Sequence, residues 1–227
     1  MAFVVACLAV VHPPVASPSG KLTIHFLDVG QGDAALIVFP RGSTMLVDGG
    51  GEQRFYKQAN AKAMPISHEK TAGSATDGEE EENDTGFKDS PFSIGEDVVS
   101  RFLWAQGRTR SDYILATHAD ADHIDGLVDV VENFSVGQAL VGHAPKLEDD
   151  AEFNHFVEAV KKQPVQIASL RAGERFELEG VMIEVLWPPR ATAAKVTSGN
   201  HDSVVLRLVY SPSINVLLRP SVIWAIR

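Results

Sequence analysis

The sequence Thr117-His118-Ala119-Asp120-Ala121-Asp122-His123 follows an apolar run at residues 113–116 and carries four metal-binding side chains within six positions. A divalent cation needs several nitrogen or oxygen ligands that converge on one point. A loop at the end of a strand can turn all these side chains the same way, whereas a strand alternates them and a helix spreads them. The stretch therefore predicts a metal site in a loop after a buried strand, with His118, Asp120, Asp122 and His123 as ligands.

The same residues have a purely structural interpretation. Aspartate is favoured at the start of a helix, where its carboxylate accepts hydrogen bonds from free backbone N–H groups, and this explains one or two of the aspartates. Four ligand-type residues in so short a stretch favour metal. We expect one or two zinc or manganese ions, because a carboxylate at position 120 makes the ligand set harder. Asp125 is expected to orient a ligating imidazole without binding the metal itself.

Composition indicates one globular domain rather than a disordered or membrane-embedded chain. The 227 residues are 44% hydrophobic and 22% charged, with a net charge of −10. Six acidic side chains lie between residues 77 and 84, so the rest of the chain carries only −4. This balance disfavours a broad DNA-binding surface built from clustered cations, but it is compatible with phosphate handled through bound metal. The single cysteine, Cys7, excludes an intrachain disulfide and a thiolate zinc cluster.

Two segments stand apart from the expected domain at residues 20–227. Residues 1–19 form an apolar segment and linker, in which the run Ala2 to Val11 is shorter than the about 20 residues that span a bilayer. Either a loosely packed N-terminal segment or the end of a longer membrane helix fits this run, so the chain is expected to be soluble or weakly anchored. Residues 70–90 are rich in Gly, Ser, Thr and Glu and predict a disordered insertion; an acidic binding tract is the alternative.

The pattern of apolar residues predicts a layered α/β fold. Three short strands separated by Gly-rich turns form a meander, which we expect to begin a mostly antiparallel sheet. The helices are expected at residues 94–103, 124–134 and 149–162. The strands are expected at residues 21–28, 34–39, 44–47, 113–116, 139–141, 165–170, 175–178, 181–186, 203–210 and, as the last one, 214–218.

Four motifs occur in an order that identifies a family. They are Phe26-Leu27-Asp28-Val29-Gly30-Gln31-Gly32-Asp33-Ala34, Leu46-Val47-Asp48-Gly49-Gly50, the stretch from Thr117 to Leu127, and Asn200-His201-Asp202-Ser203-Val204-Val205-Leu206. The third resembles the His-x-His-x-Asp-His hallmark of the metallo-β-lactamase superfamily, with Asp120 at the second histidine. Together the motifs resemble the soluble C-terminal domain of ComEC-type DNA-internalisation competence proteins, over residues 20 to 218.

The resemblance implies an αββα sandwich and a metal-dependent hydrolase. The implied activity is a phosphodiesterase or nuclease that acts on single-stranded DNA during DNA uptake, next to a membrane channel part of the same family. By the same resemblance Asp122, Asp33 and Asn200 are catalytic candidates, and the supporting residues are Asp28, Gln31, Gly32, Asp48 and Ser203. Turn chemistry at strand ends is the alternative for Asp28 and Asp48. His143 and His201 are further candidate ligands.

The chain departs from the family after residue 218. Family members continue into a Thr-Gly-Asp turn whose aspartate bridges two metals, whereas this sequence reads Arg219-Pro220-Ser221. If Ser221 to Trp224 are encoded by TCG-GTG-ATC-TGG, the frame two bases along reads Gly-Asp-Leu, so we expect a truncated or frame-shifted member with an incomplete C-terminal part. A catalytically impaired remnant that binds metal or a partner is then an alternative function. A small-molecule ester or lactam hydrolase is another, although Asp120 and residues 28–33 argue against it.

Overall fold

The computed structural model describes residues 19–51, 92–144, 150–189, 200–210, 214–218 and 224–226. The predicted insertion at 70–90 and the apolar segment before residue 19 lie outside these residues. The helices are a π-helical turn Gly95–Ser100 that continues as α1 Arg101–Ala105, then α2 Ala121–Asn133 and α3 Ala151–Lys161. None of the helices in the described ranges is long and apolar enough to cross a membrane.

Within the described residues, eleven strands form two sheets. The strands of the first sheet, in spatial order, are β1 Thr23–Phe26, β2 Ala35–Val38, β3 Thr44–Val47, β4 Arg110–Ala116, β5 Ser135–Val141 and β6 Ile167–Ser169. The second sheet, listed in chain order, contains β7 Arg175–Leu178, β8 Val181–Trp187, β9 Val205–Tyr210, β10 Ile214–Leu218 and β11 Trp224–Ile226. Each strand of the second sheet pairs antiparallel with the next.

Two expectations about the strands were wrong. The first sheet is antiparallel only from β1 to β3, and β3 to β6 pair in parallel, because helices rather than tight turns connect those strands. The strand at residues 214–218 is not the last one, because Trp224–Ile226 pairs with it. Three residues are too few for a periodic signal, so the sequence pattern gave no indication of β11.

The first sheet is buried on both faces. Along β4, Ile114 and Ala116 pack in one apolar cluster with α2 and α3, whereas Leu115 between them packs in another with the second sheet. Neighbouring residues of a strand point to opposite faces, so this alternation places the sheet between a helical layer and the second sheet. The described residues thus form helix, sheet and sheet layers of an α/β sandwich.

Helix α2 begins three residues earlier than the pattern predicted, at Ala121 rather than residue 124. Asp122 and His123 therefore lie in its first turn, and only residues 117–120 form the loop after β4. The helix approaches the backbone after β3 closely, because Gly126 N donates to Gly50 O at 2.9 Å and Gly49 N donates to His123 O at 2.8 Å. These bonds tie the helix to the end of β3 and so fix where His123 stands.

A Gly126→Ala substitution tests this close approach. Helix propensity alone predicts that alanine stabilises the helix by about 1 kcal/mol. A Cβ at position 126 would lie 2.0 Å from Gly49 O, however, so we expect unfolding free energy to fall by about 1–3 kcal/mol through overpacking. Thermal and urea unfolding measure the sign of the change. Asn154→Ala is the control, because Asn154 is exposed within α3, so that the higher helix propensity of alanine acts there alone and should stabilise the protein slightly. A stabilised Gly126→Ala variant would contradict the packing described here.

Candidate metal centre

Asp48 is the buried anchor of the candidate site. It follows β3, is 1% exposed, and has a positive φ of 54°, a conformation that aspartate and asparagine tolerate better than most residues. Its Oδ1 accepts a hydrogen bond from Thr117 N at 2.8 Å. Its Oδ2 accepts from Thr117 Oγ1 at 2.7 Å and lies 3.0 Å from His123 Nδ1. One carboxylate therefore joins the end of β3, the loop after β4 and the first turn of α2.

These contacts determine which nitrogen of each histidine carries a proton. Thr117 has a single hydroxyl hydrogen, which it donates to Asp48. The 3.0 Å contact between Thr117 Oγ1 and His118 Nδ1 is therefore a hydrogen bond donated by His118. His123 Nδ1 likewise donates to the carboxylate of Asp48. In both neutral imidazoles, Nε2 then has a free lone pair, which is the form that binds a metal.

The Nε2 atoms of the two histidines face carboxylates rather than hydrogen-bond donors. His118 Nε2 is buried without a hydrogen-bond partner and lies 3.4 Å from Asp120 Oδ2. His123 Nε2 lies 3.8 Å from Asp122 Oδ2. The two imidazole rings are adjacent, with their centroids 4.1 Å apart. Asp120 precedes α2 as its N-cap residue, yet its side chain makes no capping hydrogen bond, so capping does not explain this aspartate.

The donor types fit a divalent cation. Across the described ranges, no three His, Cys, Asp or Glu side chains are already grouped in the geometry of a metal site. The candidate ligands instead form the two imidazole–carboxylate pairs, in which the imidazoles are fixed and buried. The Asp120 and Asp122 side chains are 38% and 24% exposed, so they can change rotamer without repacking the core. Ligand type and imidazole orientation thus suit a divalent cation.

The surroundings shift the pKa values of the two histidines in opposite directions. Burial lowers the pKa of His118, and the neighbouring His123 lowers it further, against the attraction of Asp48, Asp120 and Asp122. Burial also lowers the pKa of His123, but the hydrogen bond and charge of Asp48, with Asp122 and Asp33, outweigh it, so that this pKa is raised. His118 is therefore the imidazole that stays neutral most readily, with Nε2 unprotonated.

The turn between β1 and β2 contributes some of its predicted residues to this site. Asp33 Oδ2 lies 4.0 Å from His123 Nδ1, and Asp33 O accepts a hydrogen bond from Gly50 N at 2.9 Å. Gly32 has a φ of +82°, and a Cβ there would lie 1.6 Å from Asp122 O, so only glycine permits this approach. Asp28 and Gln31 are exposed at this turn, where Asp28 Oδ1 accepts from Gly30 N at 3.3 Å, as the turn interpretation predicted.

Residues 200–203 reach the site from the second sheet. Asn200 Nδ2 donates to Asp120 Oδ2 at 3.4 Å, and Ser203 Oγ donates to Asn200 O at 3.1 Å and closes the short turn that carries Asn200. Asp125 lines a separate cavity of about 170 Å³ with Ser93 and Asp129. Asp48 makes the hydrogen bond that orients His123, and the orienting role expected of Asp125 stays a prediction. Thr117, to which the sequence assigned no role, holds His118.

Comparison with known proteins identifies the class to which this fold and site belong. Residues 93–212 match the family model described as the beta-lactamase superfamily domain. The match includes His118 to His123 and Asn200 and covers more than half of the chain. The chain belongs to this superfamily, which confirms the family and the fold class expected from its motifs.

One curated relative is ComE operon protein 3 of Bacillus subtilis (strain 168), which is 26% identical over 196 residues. The match covers 85% of this chain but 21% of the relative, so the chain spans about a fifth of that protein. Similar solved structures include a metallo-beta-lactamase of Cronobacter sakazakii with a HARLDQ motif, at 13% identity and a TM-score of 0.47, covering 92% of this chain and 61% of that one. Another is MEM-A1, a subclass B3 metallo-beta-lactamase from a soil metagenome library, at 13% identity and a TM-score of 0.45, covering 90% and 60%.

The opposite shifts of the two histidines predict distinct titrations in metal-free protein. Observed by NMR, His123 should titrate above 6.5 and His118 below it. His123 then stabilises the fold below pH 6.5, and this contribution disappears as pH rises through the raised pKa of His123. His118 has the opposite effect. It destabilises the fold as pH falls below 6.5, because His118 takes up a proton in the unfolded chain at a higher pH than in the folded one. In Asp48→Asn, the pKa of His123 should fall, because its hydrogen-bonded anion is lost while burial remains.

The same variant should lower the unfolding free energy by about 1–3 kcal/mol, because three buried donors lose a charged acceptor. Asparagine tolerates the positive φ, so the change in unfolding free energy contains no contribution from added backbone strain. Asp28→Asn is the matched control, since Asp28 is exposed. An unchanged His123 titration in Asp48→Asn would refute the role assigned to Asp48.

Proposed function

We propose that this chain is a metal-dependent phosphodiesterase that acts on single-stranded DNA, as a domain of a ComEC-type DNA-uptake protein. The observation that carries the proposal is the lone pair of His118 Nε2, which is buried without a hydrogen-bond partner beside the carboxylate of Asp120. An apolar or purely structural loop has no use for such an arrangement, because a buried acceptor without a partner costs free energy. The resemblance of the motifs to those of ComEC-type competence proteins supports DNA as the substrate.

Four residues are proposed to hold the cation: His118 and His123 through Nε2, and Asp120 and Asp122 through their carboxylates. A bound zinc or manganese ion supplies Lewis acidity toward a phosphate oxygen and toward water. The chain's own contribution is orientation: Asp48 and Thr117 hold the imidazoles, and Asn200 holds Asp120 by its amide hydrogen bond. Because the two imidazoles are already oriented, only the Asp120 and Asp122 side chains have to adjust when the cation binds.

Asp33 is the proposed proton acceptor. Its side chain is 43% exposed and lies beside His123, whereas Asp48 is buried and fully engaged in hydrogen bonds. A general base must reach the water from which it takes a proton, and an exposed carboxylate at the edge of the site can do so. The four aspartates at positions 33, 48, 120 and 122 repel a phosphate, so substrate binding should depend on the cation.

A catalytically impaired domain that binds metal is the second candidate. The sequence favours it at one place, where Arg219-Pro220-Ser221 replaces the Thr-Gly-Asp turn of the family. A bridging carboxylate is a ligand of both ions and offsets their mutual repulsion, so its replacement weakens the binding of a second ion more than that of the first. The two candidates share the metal site and differ in turnover.

Metal binding is the first test. Calorimetric titration of the metal-free protein with manganese or zinc should show at least one bound ion. His118→Ala with His123→Ala should abolish binding at this site, whereas His155→Ala, a histidine exposed on α3, should leave it unchanged. Circular dichroism checks that each variant is folded. Undiminished manganese and zinc binding by the folded double variant would show that the ligands lie elsewhere.

Hydrolysis of a fluorescent single-stranded DNA with manganese is the second test. We expect weak turnover that EDTA and His118→Ala abolish. The triple substitution Arg219→Thr, Pro220→Gly and Ser221→Asp rebuilds the family turn and should raise turnover by about tenfold or more, which corresponds to about 1.4 kcal/mol in the barrier. Rapid turnover by the unchanged chain would rule out the impaired candidate. If neither protein cleaves DNA while both bind manganese, the nuclease proposal is wrong.

A further inference from the structure

His143 presents a second unpartnered imidazole nitrogen at the same edge of the fold. It lies two residues after β5, and its side chain is 7% exposed. Its Nε2 lies 3.1 Å from Pro189 O, and its Nδ1 is buried without a hydrogen-bond partner. A carbonyl oxygen only accepts hydrogen bonds, so Nε2 carries the proton and Nδ1 of the neutral ring has a lone pair.

That lone pair faces a carboxylate. Asp202 Oδ2 lies 3.6 Å from His143 Nδ1, and the Asp202 side chain is 18% exposed. The separation is too long for a good hydrogen bond. It is close to the about 3.4 Å expected between two ligands that bind one ion at about 2.0–2.1 Å with a tetrahedral angle. A histidine whose other nitrogen donates to a backbone carbonyl is also the usual orientation of a metal ligand.

Strand pairing places this pair beside the first candidate site without merging the two. In the parallel register of β4 and β5, Ala116 is opposite Val141, so His118 and His143 both stand two residues beyond paired positions. The turn that carries Asp202 also carries Asn200, whose amide donates to Asp120. The neighbouring strand ends thus each carry a histidine with a free lone pair and a carboxylate opposite it.

We propose that His143 Nδ1 and Asp202 Oδ2 bind a divalent cation of their own, with water as the remaining ligands. The site goes beyond the proposed function, because neither residue belongs to the His118–His123 cluster and its occupancy does not require an ion there. With two protein ligands the site should be weaker than the first, and it should prefer zinc, for which imidazole is a better ligand than for magnesium.

Ring-nitrogen NMR of ¹⁵N-histidine-labelled protein tests the proposal directly. Zinc should shift the Nδ1 resonance of His143 in the unchanged chain and also in His118→Ala, which removes a ligand from the first site only. Asp202→Asn should weaken this zinc-dependent shift by at least about tenfold in zinc concentration, since one of two protein ligands is impaired. His155 is the internal control, and its resonances should not follow those of His143.

Each alternative result is informative. A His143 ring that carries protons on both nitrogens before zinc is added, and does not respond to zinc, is an ordinary ion pair with Asp202, which overturns the proposal. If Asp202→Asn fails to fold, zinc counting on His143→Gln replaces it, and an unchanged number of bound ions overturns the proposal as well. A response of His143 without one of His118 would instead contradict the first metal site while supporting this one.

Discussion

The buried carboxylate of Asp48 is the constraint on which the rest of the site depends. Its hydrogen bonds to Thr117 and His123 connect three segments that are far apart in the chain, and they do so where the carboxylate is excluded from water. A buried charge is tolerated only when its hydrogen-bonding capacity is used. The need to satisfy Asp48 therefore sets the proton positions of two imidazoles, and those positions determine which nitrogens face the cation site.

The location of the site follows from the parallel part of the first sheet. Strands β3, β4 and β5 run in the same direction, so Asp48, His118 and His143 all follow strands that end at one edge. Backbone segments at this edge approach each other closely at glycines, as at Gly32 beside Asp122 and at Gly126 beside Gly49. The charged residues are thus brought together by a backbone arrangement that carries little side-chain bulk.

Much of the fold and of the candidate site could be predicted from the sequence, and the failures have physical causes. Apolar periodicity located most strands and all three helical regions, and the residues from His118 to His123 are strongly patterned. The start of α2 was placed too late because the polar residues Asp122 and His123 interrupt the apolar pattern of its first turn. Local sequence could not identify Asp48 as the partner of His123, since that contact spans 75 positions. The parallel pairing of β3 with β4 was not predicted for the same reason. The strand with which another strand pairs lies outside any local stretch of sequence.

Because both faces of β4 are apolar and buried, hydrophobicity alone does not define how this strand aligns with its neighbours. A slip by one residue would exchange Leu115 with Ile114 and still bury an aliphatic side chain on each face. The polar link between Asp48 and Thr117 is different, since it can form in one alignment only. The residues that orient the candidate metal ligands therefore also help to fix the register of the central sheet. Correct pairing of the central sheet therefore depends on Asp48 and Thr117 whether or not the chain binds metal.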